Sequence, residues 1–387
     1  MDFVQRIYLD HNATTPLDAR VLEAMLPYLR ESFGNPSSLH WFGQRARVAV
    51  EDARGKVAAL IGADSAEIVF TASGSESDNM ALRGAVTKAG GAGRRVVTTS
   101  VEHHAVLNTA KALHEEGVPV EVTRVGGGGG LDLDDWRAKL ADGALVASVM
   151  LANNETEVLQ PVCEAARLAR EKGALVHCDA VQAAGKTPID VGALGVDLLT
   201  LSAHKLYAPK GVGCLYVRRG TPLAPLVRGG AQERNRRAGT ENVAGIVGFG
   251  AAAALAREGL AVEAERNGAL RDRLEARLLK LPGVLRNGAD PRLANTTNVS
   301  FEGVDAEALL IALDLEGIAA STGAACAAGG VEPSHVLRAM GLPPERVQSS
   351  LRLSLGRTTT EADVDRAADV IATVVGRQRQ QAQTKRA

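Results

Sequence analysis

Lys205 stands just past the end of a short apolar run, where an amine can act as a nucleophile. Residues 196–201 read VDLLTL, a pattern typical of a buried strand, and Ser202, His204 and Lys205 follow it. A lysine at such a junction is only partly solvated, which favours its uncharged form. That form can make a Schiff base with a carbonyl group or with pyridoxal 5'-phosphate. Ser202 and His204 could hold a phosphate, but a solvated surface lysine is the more common alternative.

Cys326 is a second candidate nucleophile, because its neighbours are too small to bury a thiol. Residues 321–330 read STGAACAAGG, which indicates an exposed, mobile loop. Such a thiol could attack an electrophile, and an incidental loop cysteine is the alternative. Cys163, Cys178 and Cys214 fall in helix or strand patterns and are interpreted as core thiols. No C-x-x-C spacing is present, so the sequence predicts free thiols.

Polar and ionisable residues follow the ends of successive apolar runs. In an open parallel sheet, ligands bind outside the carboxyl ends of the strands, so these residues should meet at one edge. They are Ser73, Gly74, Ser75, His103, Asn153, Asn154, Asp179, Gln182 and Lys205. Their shared position indicates a site more strongly than any one of them does.

Several of these residues have both a chemical task and a structural alternative. Residues 73–76 (SGSE) could present backbone N–H groups to a phosphate, or form a plain helix cap. Asp179 could keep a pyridine nitrogen protonated, or cap a helix. Gln182 could donate to a ring hydroxyl oxygen. His103 could stack on a ring or move protons, although a lone histidine is more often structural. Arg352 could bind a carboxylate by two hydrogen bonds, or lie on a solvated strand face.

The elements that position these residues alternate between strand and helix over residues 67–217. Continuous apolar strands separated by amphipathic helices indicate an α/β fold with a mainly parallel seven-stranded sheet covered on both faces. The predicted strands are Glu67–Thr71, Arg95–Thr99, Pro119–Val125, Ala144–Leu151, Ala174–Asp179, Asp197–Ser202 and Val212–Val217. Only a Gly/Pro loop joins the last two, so they could pair antiparallel.

A second pattern follows the sheet region. A long alanine-rich helix is predicted over Val243–Glu265 and a separate helix over Arg266–Lys280. Further strands and helices then indicate a smaller α+β unit: Thr296–Phe301, Ala306–Glu316, Leu351–Leu355 and Glu361–Arg377. We expect a large domain over residues 16–255 and a small domain formed by residues 1–15 and 256–387.

Composition limits the classes of function. The chain has 387 residues, of which 45% are hydrophobic and 3% aromatic, and its formal net charge is −1. This balance argues against nucleic acid or an acidic membrane as the main partner. We expect no membrane-spanning run and find no signal-peptide pattern, so the expected location is the cytoplasm. His177, Cys178 and Asp179 are not expected to bind a metal, because alternate strand residues point to opposite faces.

The chain closely resembles the pyridoxal phosphate-dependent cysteine desulfurases of the NifS/IscS type, within the class V aminotransferase-like group. The resemblance lies both in the residues of its motifs and in their order along the chain. The resemblance covers nearly the whole chain, from YLDHNATTP at residues 8–16 to RLSLGR at residues 352–357. Its most specific motifs are GNPSSLHWFG from Gly34, FTASGSESDN from Phe70, VEHHAV from Val101, NNETEVLQP from Asn153, HCDAVQAAGK from His177, LSAHKLYAPKGVG from Leu201 and EPSHVLRAMG from Glu332.

This resemblance implies a fold-type I enzyme that binds pyridoxal 5'-phosphate and forms a homodimer with active sites at the subunit interface. It assigns the cofactor contacts to residues already singled out above. They are Lys205 as the Schiff-base lysine, Asp179 at the pyridine nitrogen, Gln182 at the ring hydroxyl, His103 stacking on the ring, and Gly74, Ser75, Ser202 and His204 at the phosphate. Thr240, in the polar loop 232–242, is implied to reach the phosphate of the neighbouring subunit's cofactor.

The implied reaction removes sulfur from L-cysteine. Asn154 and Arg352 bind the substrate, and Lys205 or His103 moves its α-proton. The Cys326 thiolate attacks the substrate sulfur and keeps it as a persulfide, alanine is released, and the sulfur passes to an acceptor or an Fe–S scaffold protein.

The chain departs from the family in one respect that concerns this step. Alanines flank Cys326 where the family often has hydroxyl residues, whereas the long loop through Gly329 and Gly330 favours the NifS/IscS branch. The alternatives are a selenocysteine lyase or aminotransferase of the same fold, a non-catalytic sulfur carrier, and a cofactor-free Cys–His hydrolase. The hydrolase would leave Asp179 and Lys205 without a task.

Overall fold

The computed structural model describes residues 6–90, 95–323, 326–327 and 330–384. Its strands are β1 (Ile7–Tyr8), β2 (Ile68–Thr71), β3 (Val96–Thr99), β4 (Val120–Thr123), β5 (Val146–Ser148), β6 (Leu175–Asp179), β7 (Leu198–Ser202), β8 (Gly213–Val217), β9 (Val284–Arg286), β10 (Thr296–Phe301), β11 (Ile318–Ala319), β12 (Cys326–Ala327), β13 (Gly330–Val331) and β14 (Ser350–Ser354). Its α-helices are α1 (Ala19–Arg30), α2 (Trp41–Leu60), α3 (Gly74–Lys88), α4 (His104–Glu115), α5 (Leu133–Lys139), α6 (Val162–Glu171), α7 (Val191–Leu194), α8 (Gln232–Asn235), α9 (Val243–Leu278), α10 (Ala306–Leu315), α11 (His335–Ala339), α12 (Pro344–Gln348) and α13 (Glu361–Thr384).

The central sheet has seven strands in the order β2-β8-β7-β6-β5-β3-β4. Strand β8 runs antiparallel to both β2 and β7, and the other neighbours are parallel. The predicted fold class and the antiparallel pairing of the last two predicted strands are therefore confirmed. The strands predicted at Pro119–Val125 and Ala144–Leu151 are shorter in the structure, where they are β4 and β5.

Helices cover both faces of this sheet, and the alternation of side chains along each strand explains how. Val97, Val176 and Leu199 enter one large apolar cluster with residues of α2, α6 and α9. Val96 and Val146 point the other way and pack with residues of α3 and α4. Because both faces are buried, these strands read as continuous apolar runs in the sequence.

Helix α9 is one element of 36 residues, whereas the sequence analysis predicted two helices that meet at residue 265. No proline interrupts the pattern there, and the nearby Gly268 costs only about 1 kcal/mol in a helix interior, which packing can offset. By length and composition alone α9 could also cross a membrane, so the prediction that no run is long enough is wrong. Half of its most apolar window is buried inside the structure, and it packs on α1 and α2.

A second apolar cluster lies around the antiparallel sheet β14-β10-β9. Leu270, Leu274 and Leu278 from the C-terminal half of α9 enter it, as do residues of α10 and α13. Ile7 of β1 joins the same cluster, because β1 pairs in parallel with β11. The division into a large domain (16–255) and a small domain (1–15 with 256–387) stays a prediction.

Candidate active site

A cavity of about 290 Å³ lies at the carboxyl ends of the parallel strands, beside the N-terminus of α3. It brings together most of the residues that the sequence analysis selected. Its lining includes Gly74, Ser75, His103, Asn154, Asp179, Gln182, Ser202, His204 and Lys205, along with Ala13, Ser73, Asp78, Met150, Ala152 and Val181. The gathering of polar residues at one sheet edge is therefore as expected from the strand ends.

Lys205 lies in the short 3-10 helix that follows β7, and its amine is turned toward the N-terminal segment. Its Nζ donates to the backbone oxygen of Ala13 at 2.8 Å and to that of Asn12. Burial lowers the pKa of Lys205 to about 7, and the nearby charges of Lys186 and Arg352 add to this effect. The uncharged, nucleophilic form of this amine is thus accessible near neutral pH.

Asp179 ends β6, and burial raises the pKa of its carboxyl group to about 6. Its Oδ1 accepts a hydrogen bond from the backbone N–H of Val181 at 2.9 Å, but residues 181–186 form turns, so the alternative of a helix cap is wrong and Asp179 lines the cavity. Asp78 of α3 is a second cavity carboxyl group, which the sequence analysis did not select. It is 1% exposed, its Oδ1 has no hydrogen-bond partner in the described ranges, and burial raises its pKa well above the usual range.

His177 lies behind these two carboxyl groups in β6. Its Nε2 is 3.5 Å from Oδ1 of Asp78 and 3.0 Å from Oγ1 of Thr200, and its Nδ1 is 2.8 Å from Oγ of Ser148. Burial lowers the pKa of His177 to about 3, so the ring is uncharged. Hydrogen bonds to hydroxyl groups on both sides give this histidine a structural role.

The loop between β2 and α3 forms another part of the cavity wall. Oγ of Ser73 accepts from the backbone N–H of Glu76 at 3.1 Å, so Ser73 caps the helix as the structural alternative predicted. The first backbone N–H groups of a helix have no partner within it, and the positive end of the helix dipole lies there. A Cβ atom on Gly74 would stand 3.0 Å from Cγ2 of Val181 and 3.3 Å from Cβ of Ser202. A larger residue at position 74 would therefore crowd the cavity.

His103 and His204 bring two uncharged rings to the same cavity. Nδ1 of His103 accepts from the backbone N–H of Ala105 at 3.1 Å and caps α4. Nδ1 of His204 is 3.1 Å from Oγ1 of Thr14. Burial is the largest cause that lowers the pKa of each ring to about 4, and the charge of Lys205 is the next. Neither ring carries a charge at neutral pH.

Arg352 lies in β14 and is only 5% exposed, so the alternative of a solvated strand face is wrong. Its Nη1 donates to the backbone oxygen of Asn154 at 2.9 Å, which places it next to the cavity. Its Nη2 donates to Oδ1 of Asp10 at 2.7 Å, an ion pair that the sequence analysis did not foresee. Nε of Arg352 is buried and has no hydrogen-bond partner among the residues that the structure describes.

Thr240 is exposed and lies apart from these residues, in a separate cavity of about 180 Å³. That cavity is formed by the loop 237–242 with the end of β2 and the start of β8. Within one chain, the structure therefore does not bring Thr240 to the cavity beside Lys205.

The burial of the cysteines differs from the prediction at one position. Cys178 and Cys214 are buried, as predicted for core thiols, but Cys163 is exposed on α6, so the core interpretation is wrong for it. A helix pattern alone did not show that position 163 faces outward.

The backbone of Cys326 pairs with Val331 in the hairpin β12-β13. The predicted exposure of its thiol and much of its loop lie outside the described residues.

Known proteins resemble this chain in both sequence and structure. A family model for class-V aminotransferases matches residues 7–367. A cysteine desulfurase of Trichormus azollae is 50% identical over 375 residues, which are 96% of this chain and 94% of that protein. The solved structure of a NifS-like protein has a TM-score of 0.91 at 39% identity and covers 96% of this chain and 100% of its own. The structure of SspA in complex with cysteine has a TM-score of 0.81 at 33% identity and covers 90% and 98%.

Proposed function

The chain belongs to the class-V aminotransferase family and within it is a cysteine desulfurase, and from this premise we propose that the cavity beside Lys205 is where L-cysteine loses its sulfur. The observation that carries this proposal is that Lys205 and Asp179 line one cavity with the N-terminus of α3. The cysteine complex of SspA supports L-cysteine as the substrate.

The residues of this cavity fit pyridoxal 5'-phosphate as the cofactor. Its volume of about 290 Å³ is close to the lower end of the range for small-molecule sites. Gly74 leaves the wall open at the helix N-terminus, where a phosphate is favoured, and Ser75, Ser202 and His204 would complete that contact. Asp179 would keep the pyridine nitrogen protonated, Gln182 would donate to the ring hydroxyl oxygen, and His103 would stack on the ring. When bound, the cofactor supplies an electron sink next to the substrate α-carbon.

Lys205 would hold the cofactor covalently, and its amine, when free, would act as a base. A pKa of about 7 makes its amine able to accept the α-proton near neutral pH, and His103 is the second candidate for this transfer. Arg352 would bind the substrate carboxylate together with Asn154. The Arg352 guanidinium is paired with Asp10 in the structure, so a substrate carboxylate would have to compete with that ion pair.

The sulfur atom would be taken by Cys326. Its thiolate attacks the sulfur of L-cysteine, an S–S bond forms as the C–S bond breaks, and the β-carbon gains a proton to become alanine. Two thiols thus give one persulfide and one alanine without an external oxidant. The persulfide would then pass to an acceptor thiol or to a scaffold protein for Fe–S assembly, in the cytoplasm, where such thiols are kept reduced.

A second copy of the chain would complete the site. Phe33, Trp41 and Phe42 form an exposed aromatic patch, and the nearby Leu39 is also exposed; Phe33, Leu39 and Trp41 are 77%, 88% and 63% exposed. The rings of Phe33 and Phe42 stack with their centroids 5.4 Å apart. Exposed apolar groups of this kind indicate a protein interface. In a homodimer, Thr240 would reach the phosphate site of the neighbouring subunit.

Borohydride reduction tests the cofactor assignment. The protein is reconstituted with pyridoxal 5'-phosphate, reduced, digested and mapped by mass spectrometry. The expected result is a pyridoxyl group on Lys205, and its loss in Lys205→Ala. A pyridoxyl group on Lys186, which is also buried nearby, would overturn the assignment.

A further inference from the structure

Three residues without an assigned role form a buried network behind Lys205: Asn12, Glu157 and Lys186. Asn12 is 1% exposed, and its backbone oxygen accepts from Nζ of Lys205 and, at 3.0 Å, from Nε2 of Gln182. Its side-chain Oδ1 accepts from Nζ of Lys186 at 3.1 Å, and its Nδ2 donates to Oε1 of Glu157. One asparagine therefore links the candidate catalytic lysine to a second lysine and a carboxylate.

Glu157 occupies a position that is unfavourable for a glutamate on two counts. Its backbone φ is +59°, in the left-handed region that favours glycine. Its carboxyl group is 0% exposed, and within the described part of the chain Oε2 has no hydrogen-bond partner. Burial raises the pKa of this group. Strained and incompletely satisfied residues of this kind are concentrated at functional sites.

Lys186 is the cation that faces Glu157. Its Nζ lies 3.6 Å from Oε1 of Glu157 and donates to Oε1 of Gln182 at 3.0 Å. Lys186 and Lys205 also line one small cavity of about 30 Å³, so the two amines approach the same space. Two ammonium groups in a poorly solvated region repel each other, and the one without a carboxylate partner loses its proton more readily.

We propose that Lys186 and Glu157 are positioning residues for Lys205: through Asn12 they hold its amine at the cavity, and the Lys186 ammonium favours the uncharged form of that amine. Burial lowers the pKa of Lys186, and the Glu157 carboxylate opposes this effect, so Glu157 keeps Lys186 charged and in place. The pair thus acts through Lys205 without touching the substrate.

Other groups around Lys205 act on its charge as well. The charged and titratable groups that face it or are perturbed by it are Asp10, His103, Asp179, Lys186, His204 and Arg352. Among these, Lys186 has the largest influence on the pKa of Lys205 after burial itself. Arg352 has its own carboxylate partner in Asp10, and the two histidine rings are uncharged at neutral pH.

The test measures Lys205 directly in the protein without cofactor. Trace labelling with acetic anhydride over a range of pH, followed by peptide mass spectrometry, gives the pKa of this one amine. Lys186→Met should raise the pKa of Lys205 from about 7 to about 8, which slows labelling at pH 7 about fivefold. Lys186→Arg keeps the charge and should leave that pKa near its original value. Lys210→Met removes an exposed lysine from the same loop and serves as the matched control.

Lys186→Met leaves the Glu157 carboxylate without its partner and could fail to fold. The double variant Glu157→Gln with Lys186→Met removes both charges, and a smaller rise in the pKa of Lys205 is expected. The proposal is overturned if the pKa of Lys205 is unchanged in the Met variants, or if Lys186→Arg raises it as much as Lys186→Met. The proposal rests on Lys205 being the cofactor-binding amine, but this measurement needs no cofactor. Borohydride mapping of the cofactor can therefore give a negative result while the pKa measurement still supports the positioning role, and the reverse is also possible.

Discussion

Removing one partner of the ion pair between Arg54 and Glu233 should destabilise the protein far more than breaking an ordinary surface pair. The two side chains are 5% and 3% exposed and share hydrogen bonds of 2.7 Å and 2.8 Å. Glu233 also accepts from the backbone N–H of Phe70 at 2.8 Å, and Arg54 donates to the backbone oxygen of Ile68 at 2.9 Å. This pair ties the loop that carries Thr240 to β2, the strand that leads into the proposed phosphate site.

Glu233→Gln would keep the shape of the side chain but leave the Arg54 guanidinium buried without a counter-charge. Breaking a buried pair in this way costs about 3–5 kcal/mol. The amide oxygen can still accept one hydrogen bond, so we expect about 3 kcal/mol. Asp52→Asn is the matched control on the same helix, because the Lys56–Asp52 pair has similar geometry at 2.6 Å but is 45% and 62% exposed. The control should lose less than about 1 kcal/mol.

Urea unfolding followed by circular dichroism measures both variants at one protein concentration. A third variant, Arg54→Met with Glu233→Leu, removes the charges together and should be more stable than Glu233→Gln. If Glu233→Gln is no less stable than Asp52→Asn, the buried pair does not hold this loop and the reasoning is refuted.

Three further outcomes are expected. Gly74→Ala places a Cβ atom 3.0 Å from Val181 and should weaken the binding of pyridoxal 5'-phosphate at least about tenfold in a fluorescence titration, with little change in melting temperature. Burial raises the pKa of Glu102 to about 8, so the folded protein keeps a proton there that the unfolded chain releases above about pH 4.5. Stability should therefore fall as pH rises from about 4.5 to 8, and Glu102→Gln should reduce that fall in urea unfolding at pH 6 and pH 9. Trp41→Asp should convert the expected homodimer to monomers in sedimentation, and a wild-type monomer would contradict the interface.

The sequence predicted the parts of the fold that depend on local pattern. Apolar runs gave the seven strands because both faces of the sheet are buried, and strand ends gave the cavity residues because parallel strands end at one edge. The continuity of α9 was missed, because a change in composition at residue 265 resembled a boundary although nothing there stops a helix.

The sequence analysis missed residues whose roles depend on contacts between distant parts of the chain. Asn12 meets Glu157 and Lys186 only after folding, across more than a hundred positions, and Asp10 meets Arg352 in the same way. No spacing rule reports such pairs. One local signal was available: two glutamates, Glu155 and Glu157, stand in a segment that is otherwise mostly apolar or amide-bearing, and glutamate is almost never fully buried unless paired.

The most direct test of the account follows a single turnover of the reconstituted enzyme with L-cysteine. Alanine and the mass of the Cys326 peptide are measured together, in the wild type, in Cys326→Ser and in Cys163→Ser, whose thiol is exposed on α6. The account predicts one alanine and one added sulfur atom on Cys326 per active site, both unchanged in Cys163→Ser, with no bound persulfide in Cys326→Ser. Persulfide on Cys163, or undiminished sulfur release by Cys326→Ser, would contradict it.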